Sequence, residues 1–487
     1  MKIAFYTLGC KLNQAETGSL VAEFNEAGFQ IVPPDNLADI YIANTCTVTH
    51  IADRKSRHWL RLAKRRNPQA LIIATGCYAQ RAPQELAPIA DLVLNNKEKE
   101  RLLEIVTGLL ATRSSSIEPF ASRHSERALR SPCHSEQSEE SRRSGQAPQP
   151  KNLAKDRPRE GETKQFHAHN GISRVRSLIK IQDGCHSPCT YCIVPQVRDC
   201  EYSVPSSQII KEIKKKVALG YKEVVLTGTK IGHYKDAALS ASEGSDADLG
   251  DLIERILYDT NIERLRLSSL QPQELTPKLL TLWQDAVLSR SPERSEGNSE
   301  GSRVCRHFHL ALQSGSDAVL QRMRRCYSLD DYQAAVALIR EAIPGAAITT
   351  DIIVGFPGES DTEFERSYRS CQQAGFANIH VFPFSPRPGT EAAKMPNQVR
   401  DKVKKERSRR MLELSWISKR NFEQQFLGQI MPALWEKETS PSEGMYSGLT
   451  DSYIRVFTRS QKHLTNKIAP VKLTGLHDQG MWGELVS

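Results

Sequence analysis

The sequence predicts an α/β protein of three folded units: an N-terminal open α/β sheet, a partial (β/α)6 barrel, and a small C-terminal β-barrel. Three observations predict it. Apolar strands ending in glycine or polar turns feed helices near the N-terminus, and the alternation resumes after residue 170. From Gly428 onward the pattern changes to short strands separated by turn residues. The composition, 39% hydrophobic and 25% charged over 487 residues, is that of a globular chain too long for one core.

Lys2 to Leu8 reads as a buried strand, followed by Gly9, Cys10 and a helix from about Gln14 to Ala27 that stops at Gly28. Ile40 to Ala43 is a strand running into Cys46, and Leu71 to Thr75 one running into Cys77. Three strands thus deliver Cys10, Cys46 and Cys77 to one sheet edge, where open α/β sheets bind ligands. A buried thiol is the ordinary reading of any one of them. Three together, with no protein-derived fourth ligand, suggest an iron-sulfur cluster with an open iron.

Between the second and third cysteine, DRKSRHWLRLAKRRNP has helical periodicity. Arg54, Arg57, Arg61 and Arg65 fall on one face, opposite Ala52, Ser56, Trp59 and Ala63. Such a stripe is either a solvated face or a grip on phosphates, and its place beside the cluster edge favours RNA. This first unit spans residues 1–111. Residues 112–170 lose all apolar periodicity and read as a disordered low-complexity linker, echoed by a second insertion near 289–303.

The central unit, 171–400, opens with LIKIQDGCHSPCTYCIVPQVRD. Cys185, Cys189 and Cys192 are spaced to fold three thiolates around one centre. No fourth Cys or His completes a zinc tetrahedron. The arrangement suits a [4Fe-4S] cluster whose last iron takes a substrate or cofactor. Helices and strands then alternate up to Ile379–Phe382, and chemistry in barrels collects at the carboxyl ends of the strands. The loops there are LTGTKIGH, QSGSD and GFPGE, so cofactor contacts are expected from Gly228, Ser314 and Gly355, and the aromatic Tyr191 stands just before the last cysteine of the loop. A basic helix, which reads as a solvated linker, occupies 401–427. The short strands of 428–487 form a small barrel of a type that commonly binds nucleic acid.

The net charge of +9 agrees with a polyanionic partner. No apolar run is long enough to span a bilayer, and no membrane partner is expected. MKIAFYTLGC runs into a strand rather than an export segment, and the cysteines form no disulfide framework. A reducing cytoplasm is the expected location.

Taken together, the chain resembles the methylthiotransferase family of radical S-adenosylmethionine enzymes over nearly its whole length except the insertions. TLGCKLNQ, ANTCTVT and ATGCYAQ resemble the family's auxiliary-cluster motifs, and IQDGCHSPCTYCIVP its radical loop. HLALQSGSDAVLQRMRR, TTDIIVGFPGES and FPFSPRPGT resemble its later barrel motifs, and the tail its RNA-binding TRAM domain. LGCKLNQ is most similar to the branch acting on N6-threonylcarbamoyladenosine next to the tRNA anticodon. Asp199 departs from the pattern, standing where glycine is common.

The resemblance implies two [4Fe-4S] clusters, S-adenosylmethionine used twice, and methylthiolation at C2 of the adenine. Cys185, Cys189 and Cys192 would be the catalytic loop, and Cys10, Cys46 and Cys77 the ligands of the sulfur-bearing cluster. It also implies tRNA as partner, an electron donor such as a flavodoxin or ferredoxin, and a sulfur donor. Other readings are methylthiolation of isopentenyladenosine or of a ribosomal protein, and a non-catalytic iron-sulfur RNA-binding protein. Both clusters serve one reaction, so the N-terminal sheet should pack over the barrel mouth. The tail, read as a separate RNA module, should be removable without loss of the barrel's own chemistry.

Overall fold

The computed structural model describes residues 1–115, 175–236, 247–288, 303–440 and 443–486. Most of the low-complexity stretches called at 112–170 and 289–303 lies outside these residues. At their edges the structure corrects the boundaries. An unpredicted helix, Leu102–Ser115, runs past 112. Arg303 is folded, donating to the carbonyls of Leu257 (2.6 Å), Thr260 (2.7 Å) and Ile262 (2.9 Å). Cationic donors at a helix C-terminus satisfy its orphan carbonyls.

The N-terminal unit is a parallel sheet of β1 (Lys2–Thr7), β2 (Gln30–Val32), β3 (Ile40–Thr45), β4 (Leu71–Gly76) and β5 (Leu92–Val93), in the order β2-β1-β3-β4-β5. Every residue of β3 and β4 is buried, which is why both read as unbroken apolar runs. Helix α1 (Lys11–Glu26) covers one face through Leu20 and Phe24, and α2 (His50–Arg66) the other through Trp59 and Leu60. Tyr6 and Trp59 stack with ring centroids 4.4 Å apart. Short helices α3 (Cys77–Arg81) and α4 (Pro83–Leu86) follow β4, and Leu102–Ser115 is α5. The strand order reverses between β1 and β3, the place where such sheets open a crevice at the strand ends. Cys10 follows β1 and Cys46 follows β3 at that reversal.

In the central unit β6 (Arg176–Lys180) enters the cysteine loop, which contains β7 (Gln182–Asp183), α6 (Val194–Val197) and β8 (Tyr202–Ser203). Then come α7 (Ser206–Ala218), β9 (Glu223–Thr227), α8 (Leu249–Asp259), β10 (Arg264–Leu267) and α9 (Pro277–Leu288). The second half runs β11 (His307–His309), α10 (Asp317–Arg322), α11 (Leu329–Ala342), β12 (Ala347–Val354), α12 (Asp361–Ala374) and β13 (Asn378–Pro383). The parallel sheets β6-β9-β10 and β11-β12-β13 are joined by the bridges Leu265–Val304 and Leu270–Leu310. That makes six strands in an open barrel. β11 is short because only His307 to His309 keep ladder pairing with β12 within the stretch from Val304 to Leu312. Serine-led capping boxes fix the starts of α11 (Ser328 with Asp331) and α12 (Ser360 with Glu363).

The helix expected to be a solvated linker packs instead. In α13 (Asp401–Gln424), Lys404, Arg407, Met411, Leu414, Ser418 and Phe422 are buried at helical spacing. Arg407 donates to Glu359 at 2.6 Å. The tail strands β14 (Ile430–Ser440), β15 (Met445–Thr450), β16 (Arg455–Arg459), β17 (Ile468–His477) and β18 (Gly480–Leu485) close into a barrel. Among the described residues no helix is long and apolar enough to cross a membrane.

The tail barrel is not an appended module. Its core residues Trp435, Val456 and Leu473 share one apolar cluster with Phe422 and Phe426 of the preceding segment and with Ala347 and Ala377 of the central unit. Arg306 pairs with Asp451 at 2.7 Å, while Arg264 and Arg266 donate to tail carbonyls. Burying each phenylalanine is worth roughly 1.5–3 kcal/mol. Truncation before Gly428 should therefore cause aggregation or early melting of the remainder, measured by size-exclusion chromatography and calorimetry. A monodisperse truncated protein with unchanged melting would restore the separable-module view.

Candidate active site

Each cysteine triad is shaped by close backbone approach. Gly184, just before Cys185, has φ +76°, and a Cβ there would lie 2.0 Å from the Cys200 carbonyl oxygen. At Gly76, before Cys77, φ is +93° and a Cβ would meet Asn44 Oδ1 at 2.4 Å. Only glycine fits either place.

The first triad is held by Asn13 and Asn44. Asn13 Nδ2 donates to the carbonyls of Leu8 (2.9 Å) and Thr45 (3.1 Å), tying the Cys10 turn to the Cys46 turn. Asn44 Nδ2 donates to the Asn13 carbonyl at 3.0 Å. Cys46 and Cys77 are buried, and Cys10 is exposed.

The second triad is fixed by its neighbours. Thr190 donates to the Arg322 carbonyl at 2.9 Å, and Gln182 Nε2 to the Gly184 carbonyl at 2.8 Å. Arg325 Nη1 donates to Cys189 Sγ at 3.4 Å. Burial pushes the Cys192 thiol up to about 12, and burial also raises Cys46. Such thiols become ligands only by giving their protons up to a metal centre.

Zinc, with Zn–S bonds near 2.3 Å, would hold its sulfurs within about 4 Å of one another. Among the described residues the only three metal-type donors within 4.8 Å of one another are His309, Asp351 and His380. Among the described residues neither cysteine triad is drawn in to single-ion span, and three thiols at that wider spacing fit a larger iron-sulfur group.

Two buried ionic clusters lock the N-terminal unit onto the barrel. Arg198, at the end of α6, donates to Asp183 (2.7 Å), Glu16 (2.8 Å) and Asn13 Oδ1 (2.8 Å). Lys99 meets Glu16 at 2.5 Å. Burial alone would raise the Glu16 carboxyl, but Lys99 and Arg198 outweigh it and hold it well below the usual range. In the second cluster Asp53 receives Arg387 and, at 3.2 Å, Arg81, while Thr47 accepts from both arginines. Cys77 packs against Ile193 and Val197 of the radical-loop segment. The N-terminal sheet thus sits on the barrel mouth, as expected.

A cavity of about 330 Å³ lies where all three units meet, lined by Cys10 and Lys11, by strand-end residues of the barrel, and by Tyr453 of the tail. Strand periodicity explains its lining. His307 and His309 alternate on β11, Thr349 and Asp351 on β12, and His380 and Phe382 on β13, so all six face one side. His309 Nε2 lies 3.3 Å from Asp351 Oδ1, and its Nδ1 2.9 Å from Thr349 Oγ1. Tyr453 has φ +61°, a strained value for an aromatic residue, and stacks on His307 at 4.2 Å. A larger groove of about 750 Å³ between α12 and α13 holds none of the cysteines.

Of the expected cofactor contacts, Gly228 lines the cavity, where a Cβ would lie 2.7 Å from the Gln182 carbonyl oxygen. Tyr191 stands between Cys189 and Cys192 and packs on the apolar patch of Met323 and Phe356. Ser314 turns to α12, its hydroxyl 3.1 Å from Ser367 Oγ. Gly355 lies under α13, with room for no Cβ beside Lys404. Arg54, Arg61 and Arg65 are exposed, but Arg57 is taken up by Tyr78 and Glu85. Asp199 does not have positive φ, so the departure from glycine needs no special backbone. Its carbonyl lies 2.8 Å from His186 Nε2.

Sequence reading missed Asn13, Glu16, Asp183 and Arg198, although all sit inside or beside the motif strings. It also missed His307, His309, Asp351 and His380. Their signal was polar side chains at alternate positions of otherwise apolar strands.

Residues 2–95 match the model of the uncharacterized protein family UPF0004, and residues 179–371 that of the radical SAM superfamily. The chain is 33% identical over 479 residues to the threonylcarbamoyladenosine tRNA methylthiotransferase MtaB of Bacillus subtilis (strain 168), covering 97% of this chain and 93% of the relative. It is 34% identical to the MtaB of Aquifex aeolicus (strain VF5), covering 95% and 98%. The tRNA-2-methylthio-N(6)-dimethylallyladenosine synthase of Syntrophotalea carbinolica is 29% identical, with 99% and 100% covered.

Proposed function

Because the chain belongs to the radical S-adenosylmethionine methylthiotransferase family, in the branch of the threonylcarbamoyladenosine tRNA enzymes, we propose that it methylthiolates C2 of N6-threonylcarbamoyladenosine next to the anticodon of tRNA. The observation that carries this reading is the meeting of Cys10 and Lys11, the barrel strand ends and the tail's Tyr453 in one cavity. Cys185, Cys189 and Cys192 would hold the family's [4Fe-4S] cluster, which with S-adenosylmethionine supplies one-electron chemistry at an unreactive C–H bond, and Cys10, Cys46 and Cys77 a second cluster that carries the sulfur.

The chain's own residues position and shield. Arg325 donates to Cys189, and Arg198 is bonded to Asn13 beside the first triad, so each triad has a cation nearby to offset thiolate charge. The ionic locks of Arg198 and Arg387 hold the sheet over the barrel mouth. His309, Asp351 and Gly228 form part of the cavity wall that would face the substrate. Tyr191, Ser314 and Gly355 would contribute to S-adenosylmethionine binding through the shape of their loops. The partners of this reading are tRNA, an electron donor such as a flavodoxin or ferredoxin, and a sulfur donor, in the cytoplasm.

The direct test is reconstituted protein with S-adenosylmethionine, reductant and tRNA lacking the methylthio group, followed by nucleoside mass spectrometry. Product confined to threonylcarbamoyladenosine is expected. Product on isopentenyladenosine, or on a ribosomal protein alone, would replace the reading.

The arginine stripe is proposed to grip tRNA phosphates. Replacing Arg54, Arg61 and Arg65 by Gln should flatten the log-log salt dependence of tRNA binding by about 2–3, at roughly 0.7–0.9 per phosphate. An unchanged slope would return the stripe to a solvated face.

A further inference from the structure

Resting on the function proposed above, we infer that the cavity bounded by Lys11, His309, Asp351, His380 and Tyr453 is the subsite for the threonyl group that the substrate base carries on N6, with the Lys11 ammonium paired to its carboxylate.

Three observations lead there. The first is size: about 330 Å³ lies at the small end of ligand pockets, ample for an amino-acid-sized substituent. The second is a cation without a direct contact, supported only at a distance by Tyr453 and Asp351 of the same cavity. Lys11 lines the cavity and, among the described residues, its ammonium makes no hydrogen bond or ion pair, whereas the other deep cations near the triads, Lys99, Arg198 and Arg387, are all paired. A lysine lining a partly open cavity can pair with an anion that enters it, and the carboxylate of an N6-threonylcarbamoyl group is one.

The third is the complementary acceptor. Asp351 is oriented by His309 at 3.3 Å, and His309 in turn by Thr349 at 2.9 Å, which leaves a fixed carboxylate facing the space. The threonyl group has a hydroxyl, and its carbamoyl link has N–H groups, to give to such an acceptor. His307 lines the same wall at 2% exposure, and its Nδ1 has no partner, a further site for a ligand donor. An isopentenyl group would meet all of these and satisfy none, leaving a lysine and an aspartate desolvated against hydrocarbon.

The arrangement assigns Lys11 a role in substrate choice, separate from the cluster role of its neighbour Cys10. It also explains why the tail barrel reaches into the site: Tyr453 closes the wall opposite the strand ends and is held in its strained backbone state by stacking on His307.

The test pairs protein and substrate changes. Two synthetic anticodon stem-loops, one carrying threonylcarbamoyladenosine and one its carboxamide analogue, are assayed with reconstituted full-length wild type, Lys11→Gln and Lys11→Arg. For the wild type, kcat/KM should fall about 10- to 100-fold from acid to amide, mostly through KM. Lys11→Gln should lose a similar factor on the acid and prefer acid over amide by less than about threefold. Lys11→Arg should recover part of the preference. A merely structural lysine would lower both substrates together and leave their ratio at the wild-type value, and that result would overturn the inference. So would a wild type indifferent to amidation. Absence of methylthio product on both stem-loops with the wild type would overturn the parent reading and this one with it.

Discussion

Anaerobic reconstitution of the wild type should yield about eight irons per chain, and the Cys185, Cys189, Cys192→Ala triple variant about four, with no methylthio product. The variant should stay folded. Its loop is held by Thr190 to the Arg322 carbonyl, by Gln182 to the Gly184 carbonyl and by the fit of Gly184 against Cys200, none of which uses a sulfur. The reciprocal Cys10, Cys46, Cys77→Ala variant should also retain about four irons. It should still cleave S-adenosylmethionine under reduction while making no product. Complete iron loss from either folded variant would show one shared centre and end the two-cluster reading.

Arg198→Met should be nearly as severe by a different route. Removing the guanidinium leaves Asp183 without its strongest partner and Glu16 with Lys99 alone, and it takes a donor from Asn13 Oδ1. Breaking a buried pair costs about 3–5 kcal/mol. Asn13 ties the Cys10 and Cys46 turns together, so the loss should reach the first triad and abolish product while iron on the second triad remains. Calorimetry should show the N-terminal unit melting earlier. An unchanged melting profile would mean that the Asp53–Arg387 lock suffices to hold the sheet.

The same cluster sets a pH dependence. Glu16 is held below its unfolded pKa, so its stabilisation is fully present above the ordinary glutamate range and is lost as pH falls through and below that range. Melting of the N-terminal unit should fall on acidification in the wild type and less steeply in Glu16→Gln.

How much of this was legible beforehand depended on whether the signal was local. The triads were legible because three thiols in one loop, or at three strand ends, are chemical facts of the string. The strands β3, β4 and β9 were legible because burial on both faces demands an apolar run. By contrast β2 and β5, of three and two residues, carry too little pattern to stand out from loops. Helix α13 looked like a solvated linker because its buried stripe includes Lys404 and Arg407, whose stems lie along the core while their ends reach Asp401 and Glu359.

By itself, then, the sequence determined the chemistry this protein can hold and the order of its three units, since ligand type, spacing and periodicity are properties of adjacent residues. Only the tertiary structure decided what that chemistry faces. The partners of Arg198 lie 15 residues away at Asp183 and 182 at Glu16, and those of Arg387 lie 334 away at Asp53. The cavity wall joins Lys11, Asp351 and Tyr453 from three separate units. No local pattern encodes such pairings, because they exist only once packing brings distant side chains out of water and makes an unmatched charge costly.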